Sequence, residues 1–244
     1  MLPLARRLML CACCLPAATA LAGSYIESRD ADDVRQRLYI DGNQVRVESD
    51  DADEYIIIDM QQRRYYSIND AEQQIVDMSS LLRKGPTTPP KIALEFSKQG
   101  PGPKVGGYAT ERYRIKFKNT HCFDELLSTD ALKVADLKHY YTAAQQLDFH
   151  EGPAEASAAE SDADAVCAEA AMLLNTSRYA DIGIPMATLD TQGDLEHEVV
   201  QIVTDIAFPP ETFGLPQAYA RTSIVDLMRE SARELLHDKA LAEP

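Results

Sequence analysis

A two-residue rhythm rules the first third of this chain of 244 residues and limits what it can fold into. Apolar and polar side chains alternate over residues 35–40 and again over 45–48, with Asp41, Gly42 and Asn43 between them. Alternation of this kind turns one face of a strand to a core and the other to water. The Asp-Gly-Asn junction accepts the positive φ of a tight hairpin. Residues 55–58 form a compact apolar run, 64–68 and 73–78 are further strands, and polar turns fall at 61–63 and 69–70. Turns thus recur every 10 to 14 residues. That spacing leaves no room for crossover helices between parallel strands, so the segment 25–78 is predicted to be an antiparallel meander.

The pattern changes downstream. Residues 85–90 contain three prolines and break the sheet. Ile92, Leu94 and Phe96 then share one face of a strand. Gly100-Pro101-Gly102-Pro103 is expected to be a loop, since neither residue type sustains a helix or a ladder. Residues 113–117 alternate cleanly, apolar on one side and cationic on the other. Thr129 or Asp130 can cap a helix in which Val134, Leu137, Tyr141, Ala144 and Leu147 recur at three or four residues. Residues 151–165 hold five acids, six alanines and no basic residue, the composition of a solvated, mobile insert.

A second helix is predicted over 163–175, with Val166, Ala170 and Leu173 or Leu174 turned inward. Strands return after Gly183, first over 185–189. Past the turn Gln192-Gly193-Asp194 comes 195–208, with Val200, Ile202, Thr204 and Ile206 on one face. Pro209-Pro210 stops that strand, and Ile224, Leu227, Met228, Leu235 and Leu236 make the stripe of a closing amphipathic helix. The expected fold class is α+β. One antiparallel domain occupies 23–222 and carries the acidic insert 151–165; a C-terminal helix and tail follow over 223–244.

The first 22 residues belong to a different logic. Arg6 and Arg7 precede an apolar run from Leu8 to Leu15, and Ala20-Leu21-Ala22 offers a small-x-small cleavage site. The apolar stretch 8–22 has 15 residues with Pro16 inside it, short of the ~20 that a membrane-spanning helix needs. Residues 1–22 are read as a Sec signal peptide cleaved after Ala22, which makes the protein periplasmic. A second reading takes Leu10-Cys11-Ala12-Cys13 as a lipobox and Cys13 as a lipidated N-terminus. Cleavage after Ala22 removes Cys11, Cys13 and Cys14 and leaves Cys122 and Cys167. An even pair in an exported protein reads as one disulfide, worth up to ~4 kcal/mol for a loop of this length. The alternative is a metal site at His121 and Cys122, though neither CxxC nor HxxxH spacing accompanies them.

Charge narrows the partners. The chain has 24 Lys plus Arg against 39 Asp plus Glu, a formal charge of −15 that becomes −17 once the two leader arginines are gone. Such a surface repels phosphate backbones and excludes a nucleic-acid partner; it also disfavours a peripheral grip on anionic headgroups. No second apolar stretch approaches membrane length, so no membrane span is expected.

Catalysis leaves no signature. There is no GxSxG, Walker loop, HExxH or dinucleotide fingerprint, so neither an enzyme nor a cofactor is expected. Alternation sends His197 to the face opposite Glu196 and Glu198, which makes it an ordinary sheet residue. What rises above background is apolar and aromatic area: Tyr39, Ile56, Ile58, Tyr66, Ile92, Leu94, Phe96, Tyr113, Ile115 and Phe117. These side chains pack a core under the helices, or line a cavity for an apolar ligand where the helices do not reach. The first functional expectation is a non-enzymatic periplasmic module that binds a lipid or other apolar ligand. The second is an envelope interaction module with a filled core, whose acidity steers cationic protein partners.

Residues 38–46 (Leu-Tyr-Ile-Asp-Gly-Asn-Gln-Val-Arg), with Tyr55-Ile56-Ile57-Ile58-Asp59 and Arg64-Tyr65-Tyr66, resemble exported proteins of a domain-of-unknown-function family. That family is grouped with the outer-membrane lipoprotein carriers LolA and LolB. Gly107 with Tyr113-Arg114-Ile115, Cys122 with Leu126-Leu127-Ser128, and Phe213-Gly214-Leu215-Pro216-Gln217-Ala218-Tyr219 are similar too. The resemblance spans most of residues 25–220. It implies a strongly curved antiparallel sheet, an open LolA-like half-barrel, with helices over its concave face. In the lipoprotein carriers that space receives acyl chains. The chain departs from them in having no Trp and in its acidic insert.

Overall fold

The computed structural model describes residues 23–84, 94–144, 147–149, 163–173 and 179–242. Its first six strands are the meander that the alternation implies, each antiparallel to the next. They are β1 (Gly23–Asp30), β2 (Arg35–Asp41), β3 (Gln44–Ser49), β4 (Glu54–Asp59), β5 (Arg64–Asn69) and β6 (Gln74–Asp77). Gly42, at φ 56°, turns β2 into β3 and sets their register, Leu38 opposite Val47.

On the other side of β1 the sheet continues through β13 (Leu195–Ile206), β12 (Ile184–Leu189), β10 (Thr120–Ser128), β9 (Glu111–Phe117) and β8 (Leu94–Pro101). β14 (Ala220–Ser223) joins β6 in parallel. The twelve strands make one open, mostly antiparallel sheet with β14 and β8 at its edges. A separate two-stranded ribbon of β7 (Leu82–Lys84) and β11 (Leu147–Phe149) packs on it through Leu82, which is buried with Val45, Ile58 and Met60.

Three helices cover one face: α1 (Ala135–Ala144), α2 (Ala163–Leu173) and the short α3 (Tyr179–Ile182). Ile40, Leu127 and Ile184, each at most 1% exposed, meet Leu137 and Tyr141 of α1 and Tyr179 of α3. Leu94, Ile115, Phe117 and Phe123 lie under Val166 and Ala170 of α2. On the opposite face of β4–β6, Tyr55, Ile57, Ile68 and Ile75 are covered by Leu215 and Tyr219. Each fully buried side chain of this size contributes about 1.5–3 kcal/mol. α4 (Ile224–Ala242) follows β14, with Ile224 and Leu227 half-buried and Met228 59% exposed. Among the described residues no helix is long and apolar enough to cross a membrane.

Several local expectations are corrected. Along β13, Ser28 pairs with Val199 and Glu27 with Gln201, so Val200 is a bulge at 41% exposure. The extra residue shifts the alternation, and Val199 and Ile202 join the core in place of Val200. Gly100 and Pro101 belong to β8 instead of a loop. β8 is an edge strand, where a missing N–H costs no ladder bond. The first helix is entered through a tight turn at Ala131–Lys133; Asp130 stands at the N-cap position of that turn, but its side chain makes no capping bond, and the first N–H of the turn donates to Ser128 Oγ at 3.2 Å. That helix ends at Ala144, and Leu147 sits in β11.

Cys122 lies inside β10. α2 begins at Ala163, so the last three residues of the expected acidic insert are helical. The leader 1–22, the proline stretch 85–90, Ile92, residues 151–162 of the insert and Leu174 lie outside the described residues, as do the side chains of Leu173, Leu235 and Leu236.

Candidate functional site

Hairpin registers stack the helix-facing residues of β2–β6 into rows. Ile40, Val45, Ile58 and Tyr65 form one row. Tyr140 and Ala143 of α1 pack on it, and Ile40 and Val45 have no exposed surface. Two residues further along each strand is a second row of Leu38, Val47, Ile56, Ser67 and Val76. Leu38, Val47 and Ile56 stay half-buried against the cluster that α1 packs on, and Val76 is half-buried further across the sheet. Beyond them Gln36, Ser49, Asn69 and Gln74 make a polar rim. An apolar strip of Leu38, Val47 and Ile56 therefore runs between a sealed core and a polar edge, about 10 Å long at the usual strand spacing, with Val76 beyond Ser67.

The other apolar cluster is closed. Leu94, Ile115 and Phe117 are at most 5% exposed beneath α2, with Phe96 and Tyr113 partly buried around them. Cys122 and Cys167 form a disulfide, with Cα atoms 5.0 Å apart, that fixes α2 to β10. The bond closes the metal alternative at Cys122. His121 turns instead to Asp124, with Nε2 2.9 Å from Oδ1.

The expected binding set is thus divided. Ile56 lies in the strip, Ile58 in the sealed row, and Leu94, Phe96, Tyr113, Ile115 and Phe117 under α2. Tyr39 and Tyr66 face the other way, because Leu38 and Ile40 in β2, and Tyr65 in β5, are the residues that alternation gives to the helix side. Tyr39 meets the rings of Tyr25 and Phe208, with centroids 5.2 and 5.8 Å away, and Tyr66 packs with Ile57 and Ile68. Grouping all of these residues on one face is therefore incorrect.

Two neighbouring acids on β10 have opposite surroundings. Asp124 has no exposed surface on the side away from the helices. Its carboxylate accepts from Arg112 Nε at 2.7 Å and Arg114 Nε at 3.4 Å. Burial works to raise its pKa, but the bonds from Arg112 and His121 prevail and hold it below the usual carboxylate value. Glu125, 3% exposed on the helix side, has no cation. Tyr179 Oη (3.3 Å) and Thr188 Oγ1 (3.4 Å) donate to its Oε1. Among the described residues its buried Oε2 has no hydrogen-bond partner. Burial raises its pKa to about 7, and Glu196 adds to the rise against those two bonds.

A cleft of about 390 Å³ opens at the turn end of α1. Asn43 from the β2–β3 turn, Gln61 and Arg63 from the β4–β5 turn, and His139 and Thr142 from α1 surround a floor containing Met60. His139 Nε2 lies 3.0 Å from Asn43 Oδ1 and ties the helix to the turn.

Sequence reading missed the strip partners Leu38, Val47 and Val76, the cleft and Glu125. A signal existed for the first: a two-residue turn at Gly42 and Asn43 places Leu38 opposite Val47. Glu125 could have been flagged as an acid inside an otherwise apolar run, Phe123 to Leu127. The cleft is built from two distant turns and a helix, and has no local signal.

No family model and no curated protein matches the chain. Solved structures with a similar course include an uncharacterized conserved protein from Thermus thermophilus, at 8% identity and a TM-score of 0.42, covering 83% of this chain and 90% of that one. PNGF-II is similar at 10% identity and a TM-score of 0.44, covering 85% of this chain and 32% of its own. MucB is similar at 10% identity and a TM-score of 0.35, covering 81% of this chain and 57% of its own. At these TM-scores the comparisons assign the chain to no family.

Proposed function

We propose that the protein is a periplasmic binding module for a lipid or another apolar ligand, on a LolA-like half-barrel, with no catalysis of its own. One observation carries the reading: the strip of Leu38, Val47, Ile56 and Val76, half-buried between a sealed core and a polar rim. An apolar surface with a polar border is the ordinary form of a binding groove, and here Leu38, Val47 and Ile56 are its contiguous part, with Ser67 between them and Val76. The disulfide fits an oxidising, exported setting. The test is binding of the neutral apolar dye N-phenyl-1-naphthylamine, with native mass spectrometry for lipid that copurifies. Ile56→Glu and Val47→Glu are expected to abolish dye binding, and Val203→Glu, on the opposite face, to leave it intact. Dye binding unchanged in both strip variants would defeat the reading.

A second reading, docking of a protein partner, is favoured by Val200 and Val203 of β13, each 41% exposed. It predicts that Val203→Glu loses a crosslinked envelope partner while keeping the dye.

A further inference from the structure

The cleft at the turn end of α1 differs in kind from the strip, and the sealed row Ile40, Val45 and Ile58 separates them. The chain has 39 acids, yet among the described residues no carboxylate lines this cleft. Its lining instead offers donors, the Arg63 guanidinium and the Asn43 and Gln61 amides, while the Thr142 hydroxyl is spent on Lys138 O at 2.7 Å. Asn43 Oδ1 is engaged by His139, which leaves the amide NH2 of Asn43 to donate. Asp59, at the foot of the same turn, is occupied by the Gln62 N–H at 2.7 Å.

Arg63 is the informative residue. Arg29, Arg35, Arg37, Arg46, Arg112 and Arg114 are each paired with a carboxylate. Among the described residues Arg63, Arg64, Arg221 and Arg233 enter no ion pair, and of these four Arg63 is the half-buried one while the others are exposed. Its backbone is left-handed, at φ 53°, where glycine is the less strained choice. The β5–β6 turn imposes the same conformation on Gln73, at φ 51°, so the loop form, not the arginine, sets the geometry. A guanidinium is therefore held, half-buried and unpaired, where the backbone alone would favour glycine.

We propose that this cleft binds a phosphate ester, with Arg63 as its charged anchor and the neutral donors around it. A phosphate has enough acceptor oxygens to use several of these donors at once, more than a carboxylate can. The volume is at the lower end of small-molecule sites, and Met60 gives the organic part of the ligand an apolar floor. The net charge of −15 slows approach but does not govern the site, because salt screens charges beyond about 8 Å. The same chemistry is offered by a soluble phosphomonoester and by a phospholipid headgroup.

Calorimetry with glucose 6-phosphate, with glucose as the uncharged control, tests the first source. Sedimentation with phosphatidylglycerol vesicles, against phosphatidylcholine, tests the second. Arg63→Gly should fold with an unchanged or raised thermal midpoint and weaken binding about tenfold or more. Arg64→Gln, which removes the same charge from the other face, should keep binding. Loss in Arg63→Gly with glucose 6-phosphate supports a soluble ligand; loss with vesicles alone supports a headgroup. The proposal is overturned if the wild type binds neither probe, or if both variants weaken binding equally.

Discussion

Beneath α2, Leu94, Ile115, Phe117 and Phe123 are at most 6% exposed; beside α1, Leu38, Val47 and Ile56 remain half-buried on strands of the same pattern. The strands do not account for the difference. Each end presents aliphatic and aromatic residues at every second position. The helices do. α2 is bonded to β10 through Cys122–Cys167 and cannot lift away. α1 is ten residues, about 15 Å, and is held by hydrogen bonds such as Ser24 Oγ to Asp136 Oδ2 at 2.9 Å. It seals one row of the sheet and leaves the next partly open. A covered face and a half-buried face are thus the same sequence pattern under different lids.

The sharpest way to break that comparison is one substitution made at both ends. Ile115→Ala removes a side chain with no exposed surface and should cost about 2–5 kcal/mol. Ile56→Ala, in the half-buried strip, should cost less, about 1 kcal/mol. Urea unfolding midpoints measure both. Equal losses would mean that the strip is as sealed as the α2 end.

The disulfide offers a slightly smaller lever. Cys167→Ser should lower stability by about 2–4 kcal/mol and make the α2 end behave like the α1 end. Amides of β9 should then exchange faster with deuterium while those of β3 and β4 keep their rates. In the wild type, unfolded without reductant, neither Cys122 nor Cys167 should react with a thiol reagent. Two reactive equivalents from this pair would remove the covalent half of the comparison.

Much of this architecture was legible in the sequence, and the failures have physical causes. The six-strand meander follows from turn spacing, because hairpins are local and Gly42 and polar turns mark them. The pairing of Cys122 with Cys167 follows from counting the two cysteines that lie outside the expected leader. The Val200 bulge does not, since one extra residue in a strand reverses the alternation without changing composition. Nor does the assignment of faces: Tyr39 and Tyr66 are as apolar in body as their neighbours, and only register sends them away from the helices. Long-range pairing of β1 with β13 places the two ends in one sheet, and no local signal announces it.

Glu125 lies between the two ends, on the strand that α2 is bonded to and beneath the tyrosine that α3 brings over it. It gives the smallest effect and the clearest sign. Its pKa rises from 4.5 to about 7 on folding because burial disfavours the charge, with Glu196 adding to the rise. Below pH 4.5 the carboxyl is protonated in both folded and unfolded chains, and its contribution is fully present. Between 4.5 and 7 the folded chain holds a proton that the unfolded chain has released, so stability falls as pH rises. The fall amounts to up to about 3 kcal/mol across that window. Asp124 and Glu27, whose pKa values are lowered, act in the opposite direction and only at more acidic pH. Glu125→Gln should flatten the curve between pH 4.5 and 7 and exceed the wild type in stability above it, as read from urea midpoints at each pH. The groups facing Glu125 are Tyr141 of α1, Tyr179 of α3, Thr188 of β12 and Glu196 of β13, and both tyrosines have pKa values raised by burial. None of them supplies a cation to hold the ionised form. A wild-type curve that stays level over this window would mean that the charge finds solvent when it forms, and that the junction of the two ends is open as well.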